Sequence, residues 1–359
     1  MTTTPVPAPH RAAFAAQAHG FGRAGWLVAA GVVTLAVVLV AGIVMGTADL
    51  SPGTVVAILA RRLLGIDLGV TWPATSEAIV MDLRLPRILT AMVVGTGLAV
   101  AGATFQGLLR NPLAAPYVLG TASGAALGAA VAVILPVRGL ILEFGLLHGL
   151  AFAGALASVT FVYRLSRTSS LSPLTSLLLT GYAVGSLLSA GLAMAMYLSG
   201  SALREIFSYL LGGFDGTSWM RLAVAAPLIL GGSTLILLRA RALNGFLLGE
   251  EAAAHLGVDV RRERAILLSL ASLVTAASVA VAGLIGFVGL VVPHLVRLLV
   301  GPNARLVLPI SALFGASLLA FADVIARLLG GVPVGVVTSV IGAPFFLALL
   351  RRTRSGYEL

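Results

Sequence analysis

Apolar runs long enough to cross a bilayer alternate along this chain with short polar breaks. The first, 26–44, holds about 20 residues, enough to span and too many for the core of a signal peptide. After it, Ser51 and Pro52 give a helix-start signal, an N-cap followed by proline at the first helical position, and the stretch behind them stops at Gly65. That spacing predicts a short surface helix. Further spans are predicted over 86–109, 117–135, 146–163, 173–198, 220–238, 265–281, 283–299, 306–329 and 332–350, which makes ten membrane helices in an all-α fold. The eighth is interrupted by Gly283, Gly286, Gly289 and Pro293.

Two of these helices carry small residues at every fourth place. Gly95, Ala99, Ala103 and Gly107 leave one face of the second span nearly bare backbone, and Gly120, Gly124 and Gly128 repeat the device in the third. In lipid, where no hydrophobic drive brings helices together, such faces let backbones approach closely enough to pack. The polar break between the two, Arg110, Asn111 and Pro112, holds a proline that cannot continue a helix. The pattern therefore predicts a packed bundle.

Composition agrees with a polytopic membrane protein: 59% of the 359 residues are hydrophobic and 10% are charged, with a mean hydropathy of +1.06. Every basic residue is arginine, and cysteine is absent, which excludes disulfides, thiolate catalysis and cysteine metal sites. With no lysine there is no phosphate-binding GxxxxGK[ST] loop, so nucleotide chemistry has to come from a partner. If the N-terminus is cytoplasmic, 15 of the 23 arginines face inward with 5 of the 13 acids, which puts the whole net charge of +10 on the cytoplasmic side. Both termini are then cytoplasmic. The predicted organisation is a tail over 1–23, one transmembrane domain over 24–352 with a basic cytoplasmic loop at about 239–264, and a second tail over 353–359.

Ionisable residues inside the spans separate classes of transporter. A carboxylate at mid-bilayer costs roughly 2.5–3.5 kcal/mol even on lenient scales, so carriers that keep one there use it. None lies deep in a predicted span. Asp323 sits near the outer end of the ninth, one turn before Arg327, where an i, i+4 pair can neutralise itself. An ion-coupled secondary transporter of a small solute, the alternative reading, is therefore disfavoured. An intramembrane enzyme is disfavoured too, because His10, His19, His148, His255 and His294 are scattered and pair with no second histidine or deep carboxylate. No catalytic or metal-ligating set is expected, and Pro293 with His294 reads as a structural turn.

In chain order the sequence carries RLPR, then QGLLRNPLA, LLGGFDGTSW, GEEAAAHLG, AGLIGFVGLVVPHLVR, DVIARLL and PVGVVTSVIGAPFF. In these motifs it resembles the FecCD-type permeases, the transmembrane subunits of type II ATP-binding-cassette importers for ferric siderophores, haem and cobalamin. The resemblance runs from about Trp26 to Arg352. It implies ten helices per subunit, a homodimer or a pairing with a related permease, two cytoplasmic ATPase subunits that hold the ATP and Mg, and an extracytoplasmic binding protein. It also implies a multi-pass location in a bacterial plasma (inner) membrane, lipid contact, no nucleic-acid partner, and no cofactor or enzymatic activity on this chain. A ferric siderophore is the first candidate cargo, with haem or cobalamin next.

Three groups of residues gain roles from the resemblance. Gly249 and Gly257 bracket a short helix with Glu250 and Glu251 in its first turn, favourable to the helix dipole, and spacing alone would read it as a capped linker. In the family this loop is the coupling helix that meets the ATPase, which makes Gly249, Glu250, Glu251, Ala253, Ala254 and Gly257 the expected contact. Arg84, Arg87 and Arg327 lie outside against the charge bias, where single arginines anchor at head groups. Together they match the places where the family receives glutamates of the binding protein, for which the guanidinium fork is suited. The fifth helix mixes hydroxyls with glycines, and the resemblance places it at the dimer axis, with Leu174, Thr175 and Ser176 at an inner gate and Thr180, Met194 and Tyr197 along the pathway.

Overall fold

In the computed structural model, the described residues are 9–46, 48, 50–135, 145–167 and 173–353, together with the side chains of all of these except 9–23, 173–174, 349–350 and 352–353. Described elements are helical throughout. In chain order they are α1 (Pro9–Val44), α2 (Pro52–Leu64), α3 (Ala74–Ala78) with a π-turn (Ile79–Arg84), α4 (Leu85–Leu108), α5 (Thr121–Ile134), α6 (Leu146–Ser166) and α7 (Pro173–Leu198). There follow α8 (Leu203–Leu211), α9 (Trp219–Leu238), α10 (Ala240–Leu247), α11 (Glu250–His255), α12 (Val260–Ala282), α13 (Val288–Val300), α14 (Ala304–Leu328) and α15 (Val334–Thr353). Among the described residues seven helices are long and apolar enough to cross a membrane, and three shorter apolar ones, Thr121–Ile134, Val288–Val300 and Val334–Ala348, fall where the other three spans are expected.

The surface helix forms as its signals dictate. Ser51 accepts a hydrogen bond from the Thr54 amide, Pro52 opens α2, and Gly65 closes it at φ +71°. Three short helices, α3, α8 and α10, have no counterpart in the pattern of spans.

At the centre of the bundle lies α4, buried along almost its whole length against α14, α12, α9 and α13. Its small residues determine how closely each neighbour comes. A β-carbon at Gly95 would fall 2.3 Å from the carbonyl oxygen of Gly315 in α14, and one at Gly102 would fall 1.7 Å from that of Gly289 in α13. The stripe on α5 meets α6: a β-carbon at Gly124 would lie 2.4 Å from the Gly154 oxygen, and one at Gly128 would lie 2.1 Å from that of Leu150.

Several expected boundaries move, and the second span starts at Ala74, not at Pro86, because α3, the π-turn and α4 run on without a break. The third span begins at Thr121, not at Tyr117, because Gly120 is left-handed at φ +72° and 109–120 is irregular. The eighth does not begin at Gly283. Residues 283–287 are non-helical, with Gly283 and Phe287 both at φ +67°, and α13 starts only at Val288. Irregular backbone at membrane depth is tolerated where protein satisfies it. Here Gly213 N–H donates to the Ala282 oxygen at 2.8 Å and the Tyr117 hydroxyl donates to the Ile285 oxygen at 2.6 Å. The turn expected at Pro293 and His294 is absent, since α13 runs straight through it. Pro293 has no N–H for the Gly289 carbonyl, and that oxygen instead lies against the Gly102 backbone in α4.

Candidate functional site

The two ends of the bundle and one long side face carry the candidate residues. At the end where α1 and α14 terminate and α4 begins, Arg84, Arg87 and Arg327 converge on a cavity of about 260 Å³ that Phe214, Gly216 and Thr217 also line. The sequence brought these three together by charge; the structure adds what holds them. Arg84 is 5% exposed and donates to the Ile43 and Val44 carbonyls at 2.9 and 2.7 Å and to that of Ala48. Arg327 donates to Met45 and Gly42 at 2.9 and 3.0 Å. Both therefore cap the C-terminus of α1, where orphan carbonyls and the negative end of the helix dipole favour a cation.

Arg87 is held differently. Its Nε pairs with Asp323 at 2.9 Å and its Nη1 with Asp215 at 2.7 Å. Asp323, wholly buried, also pairs with Arg327 at 3.1 Å, so the expected i, i+4 pair forms and gains a third member from α4. Asp215 was missed by sequence reasoning. Its only signal was its place in the LLGGFDGTSW stretch, 128 positions from its partner.

At the opposite end, α10 and α11 fold as a helical pair before α12. Gly249 at φ +108° turns the chain into α11 and Gly257 at φ +81° turns it out. Glu250 pairs with Arg264 at the start of α12 and lies 4.0 Å from Arg110 in the break after α4. Glu251, Ala254, His255 and Gly257 are exposed, as are Leu248 and Leu256. Ala253 corrects the expectation for this helix, because it is 0% exposed and packs on Gly245 of α10. A buried alanine cannot meet a partner.

Along the side face, α7 is covered for less than a fifth of its length. Tyr182, Met194 and Tyr197 are exposed, and α7 lines a cavity of about 610 Å³ with Tyr117, Gly120 and Ser123. Gly181 and Gly185 let α7 lie against the irregular 109–120 segment, where Val118 and Gly120 meet it. Of the expected gate residues, Thr175 is exposed and Thr180 half-buried, whereas Ser176 is turned into the protein, donating to the Ser166 carbonyl at 2.8 Å. The side chain of Leu174 lies outside the described residues.

Among the described residues no group of three or more His, Cys, Asp or Glu is placed to hold a metal. The arrangement thus offers two separate polar ends joined by a packed bundle and flanked by a hydroxyl-lined side cavity.

Known proteins share this arrangement. The model of the FecCD transport family matches residues 34–352. The cobalamin import system permease protein BtuC of Halobacterium salinarum is 46% identical over 280 residues, covering 78% of this chain and 75% of that one. The hemin transport system permease protein HmuU of Yersinia pestis is 44% identical over 76% of this chain and 83% of its own. The Fe(3+)-citrate import system permease protein YfmD of Bacillus subtilis is 38% identical over 79% and 85%. A solved structure of a metal-chelate type ABC transporter in an inward-facing conformation superposes with a TM-score of 0.77 at 30% identity, covering 90% of this chain and 98% of that one.

Proposed function

The chain belongs to the FecCD transport family, and on that premise we propose that it is the permease subunit of a type II ATP-binding-cassette importer carrying a metal chelate, a ferric siderophore first, with haem or cobalamin next. It is a multi-pass membrane permease and not an enzyme, and ATP hydrolysis belongs to a separate subunit. The α11 end faces the cytoplasm and meets two ATPases through Glu251, Ala254, Leu248 and Leu256. The arginine end faces outward and receives carboxylates of a binding protein, and α7 lines the pathway beside a second copy of the chain. We assign it to a bacterial plasma membrane with both termini inside.

The observation that carries the choice over an ion-coupled carrier is the state of Asp323. Among the described residues it is the one fully buried carboxylate, with one oxygen hydrogen-bonded to Arg87 and the other in an ion pair with Arg327 at 3.1 Å. A coupling carboxylate has to bind and release its ion, and one clamped between Arg87 and Arg327 is not placed to do so. The relatives carry different cargoes on one architecture, which supports leaving cargo choice to the binding protein. The test is reconstitution: permease, cognate ATPase and binding protein in vesicles, with ferric siderophore, haem and cobalamin offered in turn. Uptake should follow ATP hydrolysis and survive collapse of ion gradients. Uptake that follows the gradient and ignores ATP overturns the reading.

A further inference from the structure

We propose that Asp215 is a built-in placeholder for the binding protein's carboxylate, occupying Arg87 until docking displaces it. This rests on the reading above in which the arginine cavity receives that partner.

The argument begins with the two edges of one guanidinium. The inner edge of Arg87 is fixed by Asp323, which is wholly buried and has nowhere to go. The outer edge is taken by Asp215, whose side chain is 78% exposed while that of Arg87 is only 19% exposed. Such a pair is unequal in permanence: the inner bond is shielded from water, and the outer one competes with water, salt and any carboxylate that arrives. Arg84 and Arg327 face the same cavity, but their donors are engaged on the end of α1. Arg87 is thus the member of the trio whose present partner a second protein can replace without exposing a helix end.

The segment that carries Asp215 is anchored, and within it the aspartate side chain is the exposed part. Residues 212–218 join α8 to α9, and the aspartate sits between Gly212 and Gly216, at φ +67° and +68°. Inside the loop the Thr217 hydroxyl closes on the Phe214 carbonyl at 2.6 Å, and Phe214 is 1% exposed. The base of the loop is tied to its neighbours: Gly213 N–H donates to Ala282, and Gly335 N–H donates to Gly212. Displacing Asp215 therefore asks only its exposed side chain to turn away, while Phe214 and the loop base stay in place. When no partner is present, the placeholder leaves the three arginines of the cavity with two carboxylates instead of one.

An exposed pair of this kind favours the paired Arg87 by a modest factor, and the fraction left unpaired scales the apparent affinity of a competitor. Asp215→Asn should accordingly tighten docking of the loaded binding protein to the permease–ATPase complex in lipid nanodiscs, by about two- to six-fold. The parallel arm is Arg87→Gln, checked for intact assembly with the ATPases. Loss of docking there with tighter docking for Asp215→Asn supports the placeholder. Loss of docking in Arg87→Gln with unchanged or weaker docking in Asp215→Asn overturns the placeholder and leaves the docking reading standing. Unchanged docking in Arg87→Gln removes the docking reading itself, and the placeholder with it.

Discussion

An arginine set against the charge bias of a membrane protein has two possible employers, the protein's own chain and a partner, and the structure shows the first: Arg84 and Arg327 hold backbone carbonyls and Arg87 holds two aspartates. Arg84 and Arg327 close the last turn of α1 through three of its carbonyls and those of Met45 and Ala48, contacts each worth about 0.3–2 kcal/mol. Reversing all three arginines at once would therefore unsettle α1 along with the proposed docking, and the single change at Arg87 is the cleaner probe. The ion cluster sharpens the point. Asp323→Ala leaves the Arg87 and Arg327 guanidiniums facing each other without their buried partner, which should cost about 3–5 kcal/mol and show as a large drop in the thermal midpoint of the purified permease. Asp215→Asn, at the exposed edge of the same cluster, should leave that midpoint within a degree or two, as surface changes of about ±0.5 kcal/mol do. Equal shifts for the two variants would mean that the cluster is not layered from inside to outside as described.

At the scale of elements, α11 tests whether a helix face was assigned correctly. Ala253 is buried on Gly245 and Ala254 is exposed, although the two are adjacent and chemically identical. Ala254→Glu should leave the permease folded while lowering ATP-driven uptake several-fold, whereas Ala253→Glu should disrupt the α10–α11 pair and reduce the yield of folded protein. Full ATPase association and uptake with Ala254→Glu would remove α11 as the coupling contact. A second device is the wiring of Glu250 to Arg264 and Arg110, which links α11 to α12 and to the end of α4. Sequence made some of these elements readable and hid others for definable reasons. Ser51, Pro52 and Gly65 carry local capping signals, so α2 was legible to the residue, and the small-residue stripes announced close packing. They did not announce partners: the stripe on α4 packs on α14 and that on α5 on α6, a choice made by tertiary contact. The breaks at 109–120 and 283–287 were only half visible, because glycine and proline mark a weak point without saying whether neighbours will satisfy a broken helix. In α13 Pro293 was accommodated, while five residues before it Val288 had to begin a new helix. The Asp215 and Asp323 contacts to Arg87 join positions 128 and 236 apart, and no local pattern encodes them.

For the whole molecule, the proposed second copy beside α7 can be weighed against a placement on α1. These are the two least covered of the seven long apolar helices among the described residues. The open face of α1 is aliphatic, with Val32, Val33, Val37 and Val40 all more than half exposed, as suits acyl chains. The face of α7 is mixed, with Tyr182, Ser186 and Ser189 lining the side cavity and Tyr197 85% exposed at its far end. Hydroxyls and tyrosines left bare to lipid along a whole helix are expensive, and a second chain or a water-filled pathway is the economical cover. A bulky residue at the opposite end, Thr175→Trp, should then obstruct cargo and reduce uptake at least ten-fold with the permease still folded; normal uptake would mean that α7 only packs. The arrangement of copies can be read directly, because the chain contains no cysteine and any introduced thiol is unique. Tyr197→Cys should give disulfide-linked dimers on mild oxidation in native membranes, since equivalent positions near a twofold axis approach one another. Val33→Cys, on the exposed aliphatic face of α1, should stay monomeric under the same oxidant. Linkage through Val33→Cys with none through Tyr197→Cys would move the twofold axis to α1 and leave the α7 cavity at the rim of the assembly, where no pathway could use it.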